Sequence, residues 1–170
     1  IHSMKFAEST LLDWRLEHVR LPYRDIPLTR RQEVEDILKH NPQPPRGENG
    51  EVDPHWFRAA STRSVELCRK RDPEFPYEIQ VLQIGDAAIV GLPGEPFVEG
   101  QLAIKVNSTS PYTFIAHVTT HYVGYLPTRQ AYTRGGHEAN EDVTYWAKLA
   151  PGSLETVQER AVALIAGLCP

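Results

Sequence analysis

The 170-residue sequence predicts an α/β fold: a mixed sheet with a β-hairpin, a crossover helix and a C-terminal amphipathic helix. Three observations predict it. Two apolar runs, 78–84 and 87–92, flank Gly85-Asp86, the form of a tight hairpin. The second run ends at Pro93-Gly94-Glu95-Pro96, where Pro96 suits the first turn of a helix over about 97–107, and a third strand follows over 112–118. Leu154, Val157, Ala161, Leu164, Ile165 and Leu168 recur at helical spacing near the end.

The elements follow in order. Apolar and charged residues alternate over 14–23, which predicts a half-buried strand, placed at an edge because Pro22 ends its pairing. Thr29-x-x-Gln32 has the form of a capping box and opens a helix that fades near His40, with Val34, Ile37 and Leu38 as its stripe. Residues 41–53 are rich in Pro, Gly and polar side chains and predict an exposed, flexible loop. Asp53-Pro54 starts a second helix to about Arg71, with Asp as N-cap and Trp56, Phe57, Ala60, Ser64, Leu67 and Cys68 near a 3.6-residue period. The run 87–92 is nearly all apolar, so it belongs at the sheet centre, covered on both faces. Ala103, Ile104 and Val106 give the crossover helix its buried side. Parallel pairing of the strands around it is the expected arrangement. A short helix is expected over 129–133. A turn falls at Gly135-Gly136, and Ser153 caps the last helix.

Length and composition set bounds. The length predicts one domain, over 14–170, with 1–13 as an extension, and Ile1-His2-Ser3-Met4 reads as a cut end. Apolar residues make up 41% and charged residues 24%, ordinary globular values. A net charge of −4 supplies no basic field for nucleic acid or an anionic membrane. No apolar run approaches bilayer-spanning length, and no secretory signal is visible. Cys68 and Cys169 are either free thiols or one bridge.

The chemistry-bearing residues sit just past strand ends. Glu95 follows one strand, and a loop carrying His121, Tyr122 and Tyr125 follows the next. Neighbouring strands would bring both groups to the same end of the sheet, so that a carboxylate, phenols and imidazoles share one crevice. His121 and Tyr122 are the substrate-binding candidates there. Each residue also has a plain reading. Glu95 is an acid in the first turn of a helix. The tyrosines pack their rings at a sheet rim. His137 is a loop histidine beside two glycines. His117 and His121 have a spacing that makes a metal pair only on a helix, whereas this segment leaves a strand. A hydrolytic metal site is compatible with the set, since catalytic zinc takes three protein ligands and keeps a position for water. There is no Gly-x-Ser-x-Gly elbow and no Gly-rich phosphate loop.

The stretches 78–86 and Val90-Gly91-Leu92-Pro93-Gly94-Glu95, with Gly124-Tyr125-Leu126-Pro127-Thr128, Gly135-Gly136-His137-Glu138-Ala139 and Lys148-Leu149-Ala150-Pro151-Gly152, resemble the neutral/alkaline, non-lysosomal ceramidase family. The resemblance runs from about Arg15 to the last helix. It implies a zinc amidase that cleaves the N-acyl bond of ceramide, with the metal held by two histidines, a glutamate and a tyrosine. By this resemblance the glutamate corresponds to Glu95 and the tyrosine to Tyr125. The metal would lower the pKa of a bound water and polarise the amide carbonyl. A second family tyrosine, which assists the oxyanion, falls where this chain has His137. A histidine can donate the same hydrogen bond and brings pH dependence with it. The family's two histidine ligands lie upstream of anything matched here. His2, His18, His40 and His55 all have the wrong neighbours. The resemblance therefore implies the C-terminal part of such a catalytic domain, with an upstream segment or companion chain supplying the histidines to a site for a lipid or other amide. A site rebuilt from Glu95, His121, Tyr125 and His137 is a second arrangement. A non-catalytic binding or structural module that keeps the fold is a third.

Overall fold

A computed structural model describes residues 10–139 and 142–168; Ile1-His2-Ser3-Met4 and Cys169 lie outside them. The protein is a mixed α/β structure built on a four-stranded sheet whose strands, in spatial order, are 12–22, 74–84, 87–92 and 112–117. Strand β1 (Leu12–Pro22) is an edge strand antiparallel to β2 (Glu74–Ile84), and β2 forms the expected hairpin with β3 (Ala87–Leu92). Gly85 takes a φ of +56° at the first turn position, which a glycine adopts without strain. Helix α3 (Val98–Asn107) crosses over to β5 (Tyr112–His117), which pairs parallel to β3 as the sequence predicts.

One face of the sheet carries the core. Val19, Leu21, Tyr77, Ile79, Val81, Ala88, Val90 and Leu92 pack against Ile104 of α3 and Leu154, Val157, Ala161 and Ile165 of α5 (Ser153–Leu168). Eliminating water from this surface, at about 25 cal/mol per Å² of apolar area, drives the association of the layers. The predicted α5 stripe is the buried one, save Leu164, which is only partly buried. No described residue covers the opposite face of the sheet. Burial alternates along β3, with Ala88, Val90 and Leu92 buried and their neighbours only partly so. The expectation of cover on both faces is therefore corrected.

The helical segments refine the sequence reading. Helix α2 (Pro54–Arg71) starts as predicted, with Asp53 accepting a 2.8 Å hydrogen bond from the Trp56 backbone. Its buried face is Ala59, Ser61, Thr62 and Val65, whereas Phe57 and Leu67 are exposed. The reason is close polar packing. Thr62 donates to the Val143 carbonyl, and the Tyr145 backbone donates to Ser61 Oγ, at 2.8 Å each. Helix α1 (Leu28–His40) begins at Leu28 with Pro27 as N-cap and no side-chain cap, so Thr29 lies inside the helix and makes no capping box. In α3 the inward residues are Gly100 and Ile104, and Val106 is 82% exposed. A Cβ at Gly100 would meet Leu154 Cδ1 at 2.8 Å, so the missing side chain lets α3 approach α5. Ser153 is the first residue of α5 rather than its cap; the Thr156 backbone bonds to the Gly152 carbonyl instead. The segment 41–53 is exposed for most of its length and closed by a bridge between Arg46 and Val52. Helix α4 (Arg129–Arg134), capped by Thr128, and the positive-φ pair Gly135 and Gly136 stand where the sequence predicts them. Cys68 is a free, half-buried thiol.

Candidate functional site

Two short strands beyond the main sheet place the site. Strand β4 (Glu95–Pro96) pairs parallel with β6 (Tyr125–Leu126), and Glu95 and Tyr125 are direct register partners. The Glu95 backbone donates to the Gly124 carbonyl at 2.8 Å, and that of Phe97 to the Leu126 carbonyl at 3.0 Å. Two glycines allow this approach. Gly94 and Gly124 have φ of +72° and +91°, and a Cβ at either would collide with backbone, that of Gly124 or of Trp146 respectively. Pro96 thus lies in β4 with Phe97 as the N-cap of α3, and the helix's first-turn acid is Glu99. The reading of Glu95 as a helix-dipole acid is corrected: it sits before the helix, in the strand pair.

Glu95 and Tyr125 line a common cleft of about 390 Å³ with Phe97, Gln101, His117 and Glu138. Tyr125 also borders a second cleft of about 350 Å³ with Phe57, Arg58, Tyr122, His137 and Trp146. The His137 ring meets Tyr125 edge-on at 6.4 Å. Tyr122 donates from its hydroxyl to Glu95 Oε1 at 3.3 Å, and burial, then the Glu95 charge, push its pKa up. A neutral Tyr122 is therefore a fixed donor to the carboxylate. His121 is placed elsewhere. It is exposed and rests on Phe75 of β2 at 5.8 Å, lining neither cleft.

Two residues given no role by the sequence reading hold the loop. Tyr145 stacks on Tyr122, with ring centres 6.4 Å apart. Lys148 is 2% exposed; its Nζ lies 3.8 Å over the Tyr145 ring and donates to the carbonyls of Val123 and Tyr145. Burial lowers its pKa to about 8. The loop it clasps carries Val118 and Thr120 at φ of +56°, a strained conformation for β-branched residues. Lysines are rarely buried, so the sequence, which places Lys148 in one of the stretches that carry the resemblance, gives no sign of its burial.

Two oxygens on adjoining strands do not by themselves fit zinc. Among the described residues no group of three His, Cys, Asp or Glu side chains is placed to hold a metal ion. Among the described residues, the arrangement rebuilt from Glu95, His121, Tyr125 and His137 is not gathered, since His121 packs on Phe75 away from the other three.

No protein-family model matches the sequence, and no curated protein matches it. Solved structures do. The neutral ceramidase of Pseudomonas aeruginosa matches over 94% of this chain, with a TM-score of 0.51 and 17% identity. The chain is similar in fold to part of a neutral ceramidase. A ceramidase solved in complex with C2 matches over 93% of it, with a TM-score of 0.52 and 16% identity. The chain spans 28% and 30% of the length of these ceramidases. Among the described residues no helix is long and apolar enough to cross a membrane.

Proposed function

We propose that the chain is part of a ceramidase-like, zinc-dependent hydrolase of amide bonds, of the N-acyl sphingosine amidohydrolase type. The observation that carries the reading is the pairing of Glu95 with Tyr125 in register, at one cleft, in a fold similar to neutral ceramidases. In this reading the two side chains are donors on one side of a metal whose other ligands come from an upstream segment or companion chain. Tyr122 orients the Glu95 carboxylate, the part a hydrogen-bonded neighbour plays for a metal ligand. His137, beside Tyr125, is placed to donate to a developing oxyanion. The second cleft, walled by the rings of Phe57, Tyr122, Tyr125 and Trp146 with Arg58 and His137 beside them, suits an acyl chain or another apolar amide substituent.

The test is release of fatty acid from an N-acyl sphingosine by the polypeptide as its natural source makes it. Turnover that stops with a chelator and returns with zinc is the expected result. That no three metal-binding side chains are grouped among the described residues supports a second reading, a non-catalytic module that keeps the fold. A folded polypeptide that takes up no zinc and shows no turnover when zinc is supplied establishes that reading over the first.

A further inference from the structure

The face of the sheet that no described residue covers is strongly apolar. Register places Trp14, Leu82, Ile89 and Phe114 in one line across all four strands, and Leu12, Ile84, Ala87 and Tyr112 in the next. Trp14 is 62% exposed, Phe114 56% and Leu82 45%. These two rows hold no charged side chain; charge begins further along, where His18 pairs with Glu78. A solvated face of a largely antiparallel sheet ordinarily carries polar side chains, whereas here both faces carry apolar ones. A contiguous bare patch of this kind marks an interface.

We infer that this face is the seat of an apolar layer of polypeptide from outside these 170 residues, packed on it as the other half of one fold. The length of the similar structures selects that occupant. The ceramidases share the fold over 94% and 93% of this chain but only 28% and 30% of their own length, so more than two thirds of each lies beyond the shared unit. The occupant's contacting surface is uncharged, aliphatic or aromatic, and meets the patch in rows. The inference rests on the fold likeness, not on the hydrolase reading: it concerns packing, and Glu95 and Tyr125 lie on the separate strand pair β4-β6.

Photo-cross-linking tests it. Trp14→p-benzoylphenylalanine and Phe114→p-benzoylphenylalanine are each placed in the polypeptide as its natural source makes it, irradiated and mapped by mass spectrometry. Cross-links to peptides outside residues 1–170 are expected from both positions. Cross-links to a second copy of these residues, or none from a folded variant, overturn the proposal. A measurement without the bulky probe stands beside it. Leu82→Ser lowers the Tm of the natural polypeptide by several degrees and leaves that of the isolated 170-residue chain within about a degree. Equal shifts in both overturn the inference. Cross-links without amide turnover sink the hydrolase reading alone, and turnover without cross-links sinks this one alone.

Discussion

Glu95 and Tyr125 come together because two backbones touch, and the touching depends on glycine. Gly124→Ala adds a methyl group against the Trp146 backbone at a left-handed φ and costs at least about 2 kcal/mol, read by urea unfolding. Tyr122→Phe keeps the ring on Tyr145 and deletes the bond to Glu95. Zinc affinity of the natural polypeptide falls about tenfold with the fold intact, measured by competition with a chromophoric chelator. Lys148 gives a pH signature. Its folded pKa of about 8 lies below the unfolded 10.5, so between these values the unfolded chain binds more protons and stability rises with pH. Unfolding free energy gains on the order of 2 kcal/mol from pH 7 to 9.5, and Lys148→Met removes that slope. The Glu95–Tyr125 meeting was legible because Glu95 lies just past one apolar run and Tyr125 in the loop after the next, and neighbouring strands bring both to one end of the sheet. The Lys148 clasp was not, since a lysine in sequence reads as a solvated side chain.

At the scale of elements, strands and caps with strong local chemistry were legible. Gly85-Asp86 makes its hairpin and Asp53 caps α2, because each signal is a local backbone requirement. The buried faces of α2 and α3 were read one or two residues off. Counting apolar side chains favours Phe57, Leu67 and Val106, yet the close contacts run through Ser61, Thr62 and Gly100, whose smallness and hydroxyls permit them. The corrected α3 face makes a sharp contrast. Ile104→Ala costs about 2–5 kcal/mol in urea unfolding, whereas Val106→Ala changes stability by no more than about 0.5 kcal/mol. Equal effects would mean that α3 buries the face read from the sequence.

The whole molecule has one sheet face covered by α3 and α5 and a strand pair holding a carboxylate beside a phenol at a cleft. The architecture was legible because hairpin, crossover and amphipathic helix each leave a periodic trace. The bare face was not, because an all-apolar strand carries the same pattern whether its second layer is present or absent. A two-oxygen half-site also predicts how the isolated chain behaves. If the proposed function holds, the 170 residues alone lose zinc on gel filtration and the polypeptide as its natural source makes it keeps the metal. The most direct measurement is the zinc content of that natural polypeptide, wild type against Glu95→Ala, with folding checked by circular dichroism. Loss of the metal from the folded variant is the predicted result; zinc retained at the wild-type level contradicts the assignment of Glu95 and the hydrolase built on it.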